Sequence, residues 1–219
     1  AYTTSAQDRC AALAAKGLVN GATLDQQADD ALARMQAYGW KPENNFLQQS
    51  HFRFATNSIA TTYTNAAGRF SVLNNLCGFS FANTDTNGNV IAQVPAVQAG
   101  IFSTGNGVPP TSGVNIVYND SVGGAKLDFL ATSPSTGTAD FALDGALCQR
   151  ALATGRDPVT GAKLTGDMKA KADRVRVGIH RAQLDGRLGG KPTLIVAGRS
   201  DTLVPVNHAS RAYFARSQE

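Results

Sequence analysis

Residues 190–208 read GKPTLIVAGRSDTLVPVNH and constrain the fold more than any other part of the chain. A short continuous apolar run, TLIVA, is bracketed by glycines and followed by a polar turn with one carboxylate, Asp201. An uninterrupted run rich in β-branched residues is the pattern of a strand buried on both faces. Before it, Met168, Ala172, Val175, Ile179 and Ala182 recur at spacings of four, three, four and three. That is one apolar helix face, and Lys169, Lys171, Arg174, Arg176 and Arg181 fall mostly away from it. Gly189 and Gly190 are expected to stop that helix. The string NHASRAYFARS starts another, with Asn207 or Ser210 near its cap. Helix, buried strand, loop, helix is the grammar of an open α/β sheet, in which chemistry sits at the carboxyl ends of strands.

The rest of the chain reads differently. Residues 5–38 predict two helices. Ser5 is a candidate N-cap, Gly17 a stop, and Thr23 with Gln26 a capping box ahead of Leu24, Ala28, Ala31 and Met35. Residues 46–166 are rich in Asn, Thr, Ser and Gly, and the strings NTDTNGNV and STGNGVPPTSG are turn chemistry. Loops, short helices and a few short strands are expected there, with one further helix over 143–153. An excursion this long from a rigid scaffold is a usual place for binding function. The predicted division is therefore 1–166 as a lid or insertion, mainly helical, and 167–219 as part of an α/β core.

Composition narrows the classes. The chain has 219 residues, 42% hydrophobic and 16% charged, enough for one ordinary core. A net charge of +4 is spread out, with no basic block carrying interleaved aromatics, so nucleic acid is not an expected partner. No apolar run reaches membrane-spanning length. Cys10, Cys77 and Cys148 are far apart and form no C-x-x-C pair, so no metal site is expected. Three buried thiols and one disulfide with a free thiol both fit that count.

The turn after the apolar run matches strand-G-x-x-D-x-x-[VIL]-P, the usual setting of the acid in the Ser-Asp-His triad of α/β-hydrolases. A histidine acting as general base becomes an imidazolium, and a fixed carboxylate holds its tautomer and balances that charge. Asp201 is the candidate catalytic residue on this reading; the plain alternative is a turn cap. The remaining members should run Ser, acid, His along the chain. The nearest nucleophile elbow is GFSFA, residues 78–82, with Ser80 at its centre. Ala stands in place of the last glycine, and no strand precedes or helix follows it. Ser121 has glycines on one side only. His51 and His180 precede Asp201, and His208 follows by only seven residues, leaving no room for an intervening helix and strand. The expectation is a fragment whose serine lies before Ala1 and whose histidine lies after Glu219.

The strings DRCAALAAKGLV, AYGWKPE, TYTNAAGRFSV, NLCGFSFA and GKPTLIVAGRSDTLVPVNHASRAYF resemble the D-(-)-3-hydroxybutyrate oligomer hydrolases, over about residues 8–214. The resemblance implies a serine esterase of the α/β-hydrolase type that cuts oligoesters to monomers. It implies no metal or organic cofactor, and a secreted or periplasmic bacterial setting. The expected partners are the oligoester and the missing segments of the same polypeptide. Asp201 alone carries over to a catalytic position, so the isolated chain is expected to be inactive and poorly stable. Phe70, Phe79 and Phe81 are candidates for an apolar pocket lining, against core packing. Arg199 and Arg211 are candidates for meeting the substrate's terminal carboxylate, against surface solvation. Two other readings fit the same residues: a feruloyl-esterase or tannase-like enzyme, and a non-catalytic binding module.

Overall fold

The structure is a computed structural model and describes residues 2–97, 99 and 114–219. The first two helices are α1 (Tyr2–Ala15) and α2 (Leu24–Ala37). The capping box forms as the sequence requires. Thr23 Oγ1 accepts from the Gln26 N–H, and the Gln26 side chain accepts from the Thr23 N–H. Ser5 is not a cap. Helix α1 starts before it, and the buried hydroxyl donates instead to the Phe129 carbonyl at 2.5 Å, tying α1 to the centre of the molecule.

A 3₁₀ turn, Pro42–Leu47, leads into α3 (Gln48–Phe54) and α4 (Thr56–Gly68). Then come, among the described residues, four short strands: β1 (Phe79–Thr84), β2 (Val90–Ile91), β3 (Asn115–Tyr118) and β4 (Lys126–Leu127). Their order is β2-β1-β3-β4, and every pairing is antiparallel. The NTDTNGNV string makes the β1–β2 turn, where the Asp85 carboxylate accepts from the Asn87 and Asn89 N–H groups. The STGNGVPPTSG string lies outside the described residues. Helices α5 (Leu143–Thr154) and α6 (Gly166–Ala182) follow, and α7 (Ser210–Arg216) ends the chain.

Among the described residues two apolar clusters make the core. Phe79, Ile116, Tyr118, Ala131 and Ala142 pack beneath the sheet; Leu76, Leu152, Ala172 and Val175 pack between the helices. Cys77 touches both clusters and is bonded to Cys148 of α5, while Cys10 is a half-buried free thiol. Of the two readings of the cysteine count, one disulfide with one free thiol is the one realised. Close approach is secured by glycines. A Cβ on Gly145 would lie 2.5 Å from the Phe79 ring, and one on Gly178 would lie 1.9 Å from the Ala67 carbonyl oxygen. Helices α4 and α6 therefore cross backbone to backbone.

The α/β-hydrolase fold class is overturned. Among the described residues the sheet is antiparallel, lies within residues 79–127 and contains no parallel pair. The run at 192–198 is not a strand; it has no regular secondary structure and no ladder partner, with Leu194 87% and Val196 85% exposed. The physical reason is the partner requirement of a doubly buried strand. It needs ladder hydrogen bonds on its edges and apolar layers on its faces, and no described element offers either to residues 192–198. Helix α6 also stops at Ala182 rather than at Gly189, with Ile179 and Leu184 exposed and Gln183 extended. No helix among the described residues is long and apolar enough to cross a membrane.

Candidate functional site

Asp201 sits in an exposed turn. Its Oδ1 accepts the N–H groups of Leu203 and Val204, both at 2.9 Å, and its Oδ2 accepts no hydrogen bond among the described residues. Pro205 is buried and fixes the exit of the turn, after which residues 206–208 make one 3₁₀ turn into α7.

This turn and the start of α7 dock on Trp40, the 3₁₀ turn that follows it and α3. Trp40 is buried, held by its Nε1–H donating to Asn45 Oδ1 at 3.0 Å, and its ring lies between two histidines. The ring centroids are 5.5 Å apart for Trp40 and His51, and 6.0 Å for Trp40 and His208. His51 Nδ1 stands 2.6 Å from the Thr202 carbonyl oxygen, one residue beyond Asp201. Glu43 accepts from Asn207 and from Arg211, and those two bonds hold its carboxyl below the usual carboxylate range. Helical spacing places His51 on α3 facing the turn. Nothing in the sequence connects residues 51 and 202, so reading the chain locally misses this contact.

The other sequence candidates fall elsewhere. Ser80 lies mid-strand in β1 opposite Val117, exchanging hydrogen bonds with the Asn119 side chain, which is no elbow. Ser121 ties a loop by accepting the Thr132 N–H. His180 is exposed on the last turn of α6. Phe79 is core, Phe81 packs partly buried against the same cluster, and Phe70 packs partly buried against the second beneath the Arg174 guanidinium. Arg199 is exposed, and Arg211 is committed to Glu43.

A second polar cluster was not legible in the sequence. Asp128 is buried, with Asn57 Nδ2 donating to its Oδ2 at 3.0 Å and the Phe129 N–H to its Oδ1 at 2.8 Å. Burial outweighs those bonds and pushes its carboxyl from 3.8 up to about 6, against the pull of Arg53 and Arg9. Arg9 is half-buried, its guanidinium against the Phe52 and Phe141 rings, and donates to the Phe141 carbonyl at 3.0 Å; loss of solvent around it lowers its affinity for a proton. Asp140 accepts from the hydroxyls of Ser133 and Thr136. The cavity beside Asp128 is about 60 Å³ and lined by Arg53, Phe54, Asn57 and Ile116 among others. That volume has room for a few waters and none for an oligoester. No group of three or more His, Cys, Asp or Glu among the described residues is placed to hold a metal ion.

Comparison with known proteins places these residues. The family model described as 3HB-oligomer hydrolase (3HBOH) matches residues 1–219. The chain belongs to the 3HB-oligomer hydrolase family. Proteins named D-(-)-3-hydroxybutyrate oligomer hydrolase from Albidiferax ferrireducens and Polaromonas naphthalenivorans are each 47% identical, over 97% and 98% of this chain respectively. One from Ralstonia pickettii is 44% identical over 94%. The chain spans only 29%, 29% and 27% of those three relatives' own lengths. No solved structure matches it. Membership in the 3HB-oligomer hydrolase family, inferred from scattered strings, thus holds over the whole chain, whereas the fold inferred with it does not.

Proposed function

We propose that these 219 residues are part of a longer polypeptide that hydrolyses 3-hydroxybutyrate oligomers to monomers, and that Asp201 is its catalytic acid. The observation that carries the reading is the family match over residues 1–219, joined to relatives whose names state that reaction. The mechanism is that of a serine esterase. A serine hydroxyl from the remaining polypeptide attacks the ester carbonyl and gives its proton to a histidine. The alcohol leaves with that proton, and water then cleaves the acyl-serine. Asp201 holds the histidine's tautomer and balances its transient charge. Its exposed position, with Oδ2 unbonded among the described residues, supports that role.

Within this reading residues 1–166 cover the site and residues 167–219 bring the acid to it. The remaining polypeptide packs on the exposed Leu194 and Val196. The setting is secreted or periplasmic, which the Cys77–Cys148 disulfide supports, since such bonds persist in oxidising compartments.

The two N–H bonds to Oδ1 favour a second reading, in which Asp201 is only a turn cap. Asp201→Asn in the full-length protein separates the two. Asn keeps the Oδ1 acceptor and so keeps the turn, but removes the charge. A triad acid loses on the order of 10⁴ in kcat on the trimer; a cap leaves kcat near wild type.

A further inference from the structure

His51 and Asp201 are joined through one peptide group. The Thr202 carbonyl lies 2.6 Å from His51 Nδ1, and the N–H of that same peptide unit, on Leu203, donates to Asp201 Oδ1 at 2.9 Å. A carbonyl has no proton to give, so Nδ1 carries it, whether His51 is neutral or charged. The chain of bonds runs His51 N–H to carbonyl, then amide N–H to carboxylate. Each bond in such a series polarises the next. Trp40 packs against the ring and is itself fixed by Asn45, so the donor is held from behind.

We infer that His51 is a positioning residue for Asp201, setting the plane of the 202–203 peptide and through it the direction in which the carboxylate faces. The inference rests on the reading of Asp201 as the catalytic acid. Its geometric half, that His51 holds the turn, stands apart from that reading and is measured separately.

The test uses the full-length protein with His51→Asn, His51→Gln and His51→Phe. An Asn amide nitrogen falls where Nδ1 was, a Gln amide nitrogen lies one bond farther out, and Phe keeps a ring without a donor. Hydrogen–deuterium exchange is followed on the peptide covering residues 201–204, and kcat and KM are measured on the hydroxybutyrate trimer. The expected result is faster exchange in the Gln and Phe variants and a fall in kcat of about tenfold to a hundredfold, the cost of a small misplacement. KM should stay within about twofold, and Asn should restore both exchange and kcat. Should the Phe variant fail to fold, the Asn and Gln pair carries the comparison. Wild-type exchange and kcat in the Gln variant overturns the inference. So does a loss that Asn shares in full, because that loss reports packing rather than the donor. If Asp201→Asn is fully active, the catalytic role of Asp201 falls and the effect of His51 on kcat with it, and exchange alone still reports whether His51 holds the turn. If Asp201→Asn is inactive while His51→Gln behaves as wild type, only the positioning role falls.

Discussion

Two short apolar strings of this chain, NIVY at 115–118 and TLIV at 193–196, look alike on paper and end in opposite surroundings. In the first, Ile116, Val117 and Tyr118 are 5%, 1% and 3% exposed, between β1 and β4. In the second, Leu194 and Val196 face solvent and the backbone is unpaired. Composition states a capacity for burial; a neighbour with free ladder groups and an apolar face converts that capacity into a strand. The described residues within 44–97 and 114–182 supply such neighbours to one another and close the arrangement with a disulfide. Residues 183–205 receive almost none.

That contrast can be broken experimentally, most severely at the disulfide. Cys77 and Cys148 are 71 residues apart. Replacing both by Ser should cost about 4 kcal/mol in urea unfolding, from the freedom returned to the unfolded loop. Next, Leu152→Ala opens a cavity in the helix cluster, where Leu152 is fully enclosed. A loss of about 3–4 kcal/mol is expected by the same measurement.

The third test concerns Asp128, whose carboxyl binds its proton more tightly folded, near 6, than in a free chain, near 3.8. Its contribution to stability is complete in acid below about pH 4 and is lost as pH rises through about 6. The unfolding free energy of wild type minus that of Asp128→Asn should therefore fall with rising pH, moving in the variant's favour by on the order of 2–3 kcal/mol between pH 4 and 7. A flat difference would mean the group is not buried as described. The smallest effect is the sharpest control. Leu194→Ala, the same substitution made at Leu152, should change the stability of this chain by less than about 0.5 kcal/mol. A loss comparable to that of Leu152→Ala would show that residues 192–198 have a partner within the 219 residues.

What the sequence disclosed follows the same line. Local chemistry was legible. The Thr23–Gln26 capping box, the helix over 143–153 and the 168–182 face need only nearby residues, and all three form. The outer part of that last face was over-read, because Ile179 has the right spacing but nothing packs over it. The antiparallel sheet was expected only as a few short strands, since β2 and β4 are two residues each and carry no periodic signal. The parallel strand was wrongly inferred, because a pattern cannot name its partner. At the candidate site Asp201 and its turn were readable from motif and turn chemistry. The His51 contact spans 151 positions, and the union of Arg9, Asn57 and Asp128 spans three distant segments. Neither leaves a mark on neighbouring residues.

The Cys77–Cys148 bond has one more consequence, for what a protease can do to this molecule. Any single cut between residues 78 and 147 leaves both pieces on one covalent framework, and a gel without reductant shows one band where a gel with reductant shows two. A cut within 183–200 has no such tether among the described residues and leaves the Asp201 turn, with everything after it, held only by noncovalent contacts. Backbone scission in the first stretch therefore leaves the molecule in one covalent piece, while in the second it severs the carboxylate's covalent link to the core.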